Sequence, residues 1–78
     1  MSEYDLDATG LLCPLPVLKL RKRMGALKVG QSLTLVADDP AAIVDVPHFC
    51  VEAGHELVEM RDEGATQVYV VQKGARKT

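Results

Sequence analysis

Apolar residues recur along the 78-residue chain with two different periods. Tyr4 and Leu6 alternate with acidic neighbours, as in a short half-buried strand. Val17, Leu20, Met24 and Leu27 return every three or four residues, which predicts a helix over residues 14–24. Gly25 stands near its end, and Lys19, Arg21, Lys22 and Arg23 suit its negative C-terminal half. After a turn at Lys28-Val29-Gly30-Gln31, residues 32–37 read as a second strand. Asp38-Asp39-Pro40 then pairs an aspartate cap with proline at the first helical position, and Gly54 closes a helix over residues 40–53. Pro47 lies inside that helix and removes a backbone bond to Ile43, which predicts a kink or two short helices. Residues 55–62 and 67–73 read as two strands joined through Glu63-Gly64-Ala65-Thr66.

The order βαβαββ predicts an α+β domain, a four-stranded mixed sheet with both helices on one face. The first strand, helix and second strand make a parallel crossover, for which the right-handed form is nearly universal. Alternation selects Val58, Met60, Val68 and Val70 as the inward residues of the hairpin, with Glu59, Arg61, Gln67 and Lys73 on a face open to water. No linker or repeat divides the chain, so one domain is expected over residues 1–78, with residues 74–78 as a frayed tail.

Composition narrows the function. At 78 residues the core is modest, which argues against an enzyme with an enclosed pocket. The net charge of −2 supplies no positive field to gather nucleic acid or anionic lipid, and counts against direct nucleic-acid binding. No apolar run is long enough to span a membrane, and the acidic start lacks a signal-peptide core. Two cysteines are too few for a disulfide framework. A cytoplasmic, reducing setting and a monomer are expected.

The two cysteines differ in surroundings. Cys50 falls in the apolar stripe of the second helix with Ile43, Val46 and Ala53, and reads as a small buried hydrophobe, while Asp45, His48 and Glu52 share another face. Cys13 opens Cys13-Pro14-Leu15-Pro16, after Gly10. Proline is favoured at the first helical position, so Cys13 reads as the N-cap, facing the N–H groups of Leu15 and Val17 and the positive end of the helix dipole. That position predicts a lowered thiol pKa and an exposed nucleophile. On the same side, Leu15 and Leu18 lie beside Lys19 and Lys22, which suits a partner-docking surface.

Other chemistries fit poorly. Cys13, His48, Cys50 and His55 follow no zinc-ligand spacing, and the position three after Cys13 is Pro16, which rules out a Cys-x-x-Cys dithiol. Neither histidine is an evident base for a cysteine hydrolase, and glycine-rich phosphate loops are absent. A lone exposed thiol can instead accept a sulfane sulfur as a persulfide and surrender it to another protein. No cofactor or metal is implied.

Four ordered segments carry a resemblance: Leu6-Asp7-Ala8-Thr9-Gly10-Leu11-Leu12-Cys13-Pro14-Leu15-Pro16, Ala37-Asp38-Asp39-Pro40, Asp45-Val46-Pro47-His48-Phe49-Cys50, and Gly54-His55-Glu56-Leu57. Together they resemble the TusA/SirA family of sulfur carriers. The resemblance implies a two-layer α/β sandwich and a persulfide on Cys13 of the CPxP motif. It also implies a cysteine desulfurase or rhodanese as donor and a downstream sulfur-relay protein as acceptor. The last two segments look most like the branch that serves 2-thiouridine at a tRNA wobble base; other branches serve molybdenum-cofactor formation or sulfur oxidation. That branch usually carries glutamate between the motif prolines, where this chain has Leu15. A reading from a different class is a non-catalytic RNA- or protein-binding module using Lys19, Arg21, Lys22 and Arg23.

Overall fold

A computed structural model of the chain describes residues 4–75. The elements are β1 (Leu6–Ala8), α1 (Leu15–Gly25), β2 (Ser32–Ala37), α2 (Ala42–Ala53), β3 (Glu56–Asp62) and β4 (Gln67–Gln72). They form one sheet in the order β1-β2-β4-β3, with β1 parallel to β2 and the other neighbours antiparallel. Leu20 and Met24 of α1 and Val46, Phe49 and Cys50 of α2 join Leu33, Leu35, Tyr69 and Val71 of the sheet in one core, so both helices cover the same face. This is the α+β, two-layer sandwich that the element order predicts.

Boundaries move for local reasons. β1 starts two residues later than expected, because Asp5 turns its carboxylate onto the N–H of Thr34 at 2.8 Å while its own N–H reaches the Thr34 carbonyl. α1 starts at Leu15 with Pro14 as its cap, and the Pro14 carbonyl accepts the N–H of Leu18 at 3.1 Å. α2 starts at Ala42 and is a single helix with Pro47 inside it. Proline costs that helix one bond, while Val46, Phe49 and Cys50 beside it are buried and hold both halves against the sheet. The bond is lost at Ile43, which is 40% exposed rather than inward as the stripe predicted. Gly54, at φ 77°, ends the helix in the left-handed conformation that glycine adopts without steric cost.

The hairpin faces correct the alternation reading. The core side of β4 carries Tyr69 and Val71; on β3 their register partners are Met60, which is 39% exposed, and Leu57, which packs against the core. A bulge at Val58 shifts the parity of β3, so Val58 is exposed. β4 is apolar on both faces, which leaves alternation no purchase on it: Val68 is buried on the far face beside its register partner Val36. Gln67 is buried on the helix side rather than open to water, and Lys73 is half-buried, donating to the Met24 carbonyl at 2.7 Å. Glu59 and Arg61 do face outward, as an ion pair at 2.9 Å. Gly74, expected in the frayed tail, is tied by its N–H to His55 Nδ1 at 3.1 Å; residues 76–78 lie outside the described residues.

Candidate functional site

Parallel pairing of β1 with β2 puts the loop after each strand at the same edge of the sheet. The first of these loops carries Cys13 and the second carries Asp38 and Asp39. Asp7 ends β1 by accepting both the N–H and the hydroxyl of Thr9, and Gly10 turns the chain at φ 79°. The N–H of Gly10 then reaches the Asp38 carboxylate at 3.0 Å, and that of Cys13 reaches Asp39 Oδ2. Asp39 also accepts the N–H of Ala41 at 3.1 Å. One buried carboxylate therefore fixes the start of α2 and the backbone of the cysteine together. The Leu15 N–H closes a turn onto Leu12 at 2.8 Å, and the chain enters α1 from that turn.

Cys13 is exposed. It does not cap α1, because Pro14 holds that position and no side chain there bonds the helix amides. Its Sγ instead lies 2.8 Å from Oδ2 of Asp45, in the first turn of α2. The thiol donates to that carboxylate. This contact, then desolvation, then the charges of Asp45 and Asp39, push the Cys13 pKa up. The expected lowering by the helix dipole is thus overturned. A partial positive charge at a helix end falls off within a turn, whereas a full negative charge in contact with the sulfur does not.

The sulfur opens on a groove of about 200 Å³ between the helices, bordered by Pro14 and Val17 on one side and Asp45 and His48 on the other. Arg21, Phe49 and Glu52 form its far end and also border a larger hollow of about 730 Å³ that runs to His55 and Lys73. Arg21 lies over the Phe49 ring at 5.4 Å, and His48 pairs with Glu52. Of the other residues singled out from the sequence, Gly10, Pro14 and Leu15 stay with Cys13 at this edge, while Pro16 is buried in the first turn of α1 and Val17 half-buried. Leu15 and Leu18 are 46% and 49% exposed, and Lys19 and Lys22 are exposed beside them. Cys50 is 2% exposed, and burial pushes its pKa up to about 11. Among the described residues no three histidine, cysteine or acidic side chains gather as metal ligands, and no helix is long and apolar enough to cross a membrane.

Sequence reading missed Asp38, Asp39 and Asp45 as members of the site. The signal for the first two was the parallel crossover, which must bring the loops after β1 and β2 together. For Asp45 it was the helical face shared with His48 and Glu52, which borders the groove rather than open solvent.

Fold and site define a small two-layer α/β protein that presents one thiol at its surface, beside a shallow interhelical groove. Its fold matches a crystal structure of a SirA-like protein from Desulfitobacterium hafniense with a TM-score of 0.77 at 21% identity, over 88% of this chain and 95% of that one. The profile of the family described as Sulfurtransferase TusA matches residues 4–73. The sulfur carrier protein TusA of Pseudomonas paraeruginosa is 47% identical over 70 residues, covering 90% of this chain and 89% of that protein, and the TusA of Pseudomonas aeruginosa matches equally. The chain belongs to the TusA family of sulfur carriers.

Proposed function

We propose that the protein carries sulfane sulfur as a persulfide on Cys13, taken from a cysteine desulfurase or rhodanese and handed to a downstream relay protein. The observation that carries this reading is the contrast between the two thiols, Cys13 exposed at the mouth of a groove and Cys50 sealed in the core. A carrier needs its sulfur reachable by two partner active sites in turn, and access matters more than enclosure. Leu12, Leu15 and Leu18 are 70%, 46% and 49% exposed, and with Lys19 and Lys22 they supply apolar contact and positive steering for those partners. The segments Asp45-Val46-Pro47-His48-Phe49-Cys50 and His55-Glu56-Leu57 favour delivery toward tRNA wobble 2-thiouridine, in the reducing cytoplasm.

Incubation with labelled cysteine and a desulfurase, read by intact mass, tests the carrier role. Wild type and Cys50→Ser gain one sulfur atom, and Cys13→Ser gains none. Sulfur retained on Cys13→Ser refutes the assignment. Delivery is tested by reconstituting tRNA thiolation, in which Cys13→Ser yields no thiolated tRNA.

A further inference from the structure

The group that touches the reacting sulfur is an anion, which is unexpected for a thiol that must act as a nucleophile. Asp45 Oδ2 stands 2.8 Å from Cys13 Sγ, and its position in the first turn of α2 places the carboxylate at the positive end of that helix. The surrounding charges do not reverse its influence. Asp38 and Asp39, from the loop before α2, are also negative and are engaged with the backbone of the cysteine loop. On α2, His48 is paired with Glu52. The cation that α1 contributes to the groove, Arg21, is stacked on Phe49.

We propose that Asp45 sets the charge on the sulfur in transfer: it holds Cys13 as the thiol in the unloaded carrier and repels the persulfide anion in the loaded one, so that the sulfur moves on. This rests on the reading of Cys13 as the persulfide carrier. In loading, Cys13 Sγ bonds to the outer sulfur of a donor persulfide, and the bond between that sulfur and the donor's own sulfur breaks. The Cys13 sulfur is oxidised to the persulfide level, and the donor is reduced to a thiol. The proton leaving Cys13 goes to the departing donor sulfur, so a thiol and a persulfide yield a persulfide and a thiol. A persulfide is more acidic than its parent thiol and is anionic at neutral pH. Its charge lies beside Asp45 only in the loaded state, so the same carboxylate leaves the unloaded carrier chemically quiet and makes the loaded one a ready donor.

Asp45→Asn keeps the shape and removes the charge, and Asp45→Glu keeps the charge on a longer arm. Two measurements on the whole chain, with folding checked by circular dichroism, test the idea. In iodoacetamide alkylation of Cys13 against pH, Asp45→Asn reacts several-fold faster than wild type at pH 7.5, through a pH midpoint moved down, and Asp45→Glu stays closer to wild type. After loading with sodium polysulfide and equilibration with excess glutathione, Asp45→Asn retains several-fold more sulfur on Cys13 than wild type. A purely structural role for Asp45 at the start of α2 moves neither readout. An Asp45→Asn protein with the wild-type alkylation profile, or one that retains no more sulfur than wild type, overturns the proposal. Wild type that takes up no sulfur overturns the carrier reading and with it the loaded-state half of the proposal, while wild type that loads beside an unchanged Asp45→Asn overturns the proposal alone.

Discussion

Replacing Asp39 by alanine removes the group that joins the two loops at the site. Its side chain is 8% exposed and accepts two backbone N–H groups, those of Cys13 and Ala41. An orphaned buried donor costs about 1–3 kcal/mol, which sets an upper bound near 6 kcal/mol for the pair. Two effects pull the figure down. Both hydrogen bonds are part-buried rather than sealed, so water can take over some of the lost bonding, and removing a buried carboxylate also relieves its desolvation. A net loss of about 2 kcal/mol follows, which in a domain this small lowers Tm by roughly 10 °C. Asp39→Asn should recover at most half, because a single amide oxygen replaces two acceptors and the amide NH₂ faces a donor. Thermal unfolding followed by far-UV circular dichroism in reducing buffer measures both variants. A Tm for Asp39→Ala within about 2 °C of wild type would refute the reasoning, since it would mean that the two hydrogen bonds contribute nothing beyond the desolvation cost of the carboxylate.

His55 is held below its ordinary pKa by burial and by the nearby Lys73, and its Nδ1 accepts the Gly74 N–H. The folded state therefore prefers the neutral ring. Stability should be level above about pH 7, then fall as the pH drops below the unfolded value of about 6.5 toward the lower native one. Urea unfolding at pH 7.5 and 5.5 should show a smaller difference for His55→Asn, which keeps an acceptor for Gly74; equal differences in the two proteins would remove His55 as the cause. At Gly74, an added Cβ would fall 1.7 Å from the Gly54 carbonyl oxygen, a backbone atom that cannot swing aside. Gly74→Ala should cost about 1–3 kcal/mol and speed hydrogen exchange at the Gly74 amide, and an unchanged Tm would contradict that close approach.

Much of the scaffold is legible in the chain itself. The spacing of Val17, Leu20 and Met24, the prolines at the entry to α1 and the glycine after α2 are local signals, and local sterics and hydrophobic period suffice to set element type and order. The same phase separates Cys50 on a buried stripe from Cys13 ahead of a helix, and the observed 2% exposure of Cys50 follows from it. The hairpin shows where such signals stop: β4 is apolar on both faces, and the bulge at Val58 reverses the parity of β3, so alternation places Val58 and Val68 inward where Leu57, Tyr69 and Val71 face the core.

Sequence alone determined that one thiol would stand at the entrance to the first helix and the other would be buried, because both follow from neighbours within a few residues. Only the tertiary structure decided the electrostatics of that thiol. Asp39 and Asp45 lie 26 and 32 residues further along the chain and reach Cys13 through the parallel pairing of β1 and β2 and the packing of α2 beside α1. A pKa responds to the charges nearest in space, and here the nearest one is contributed by a different helix.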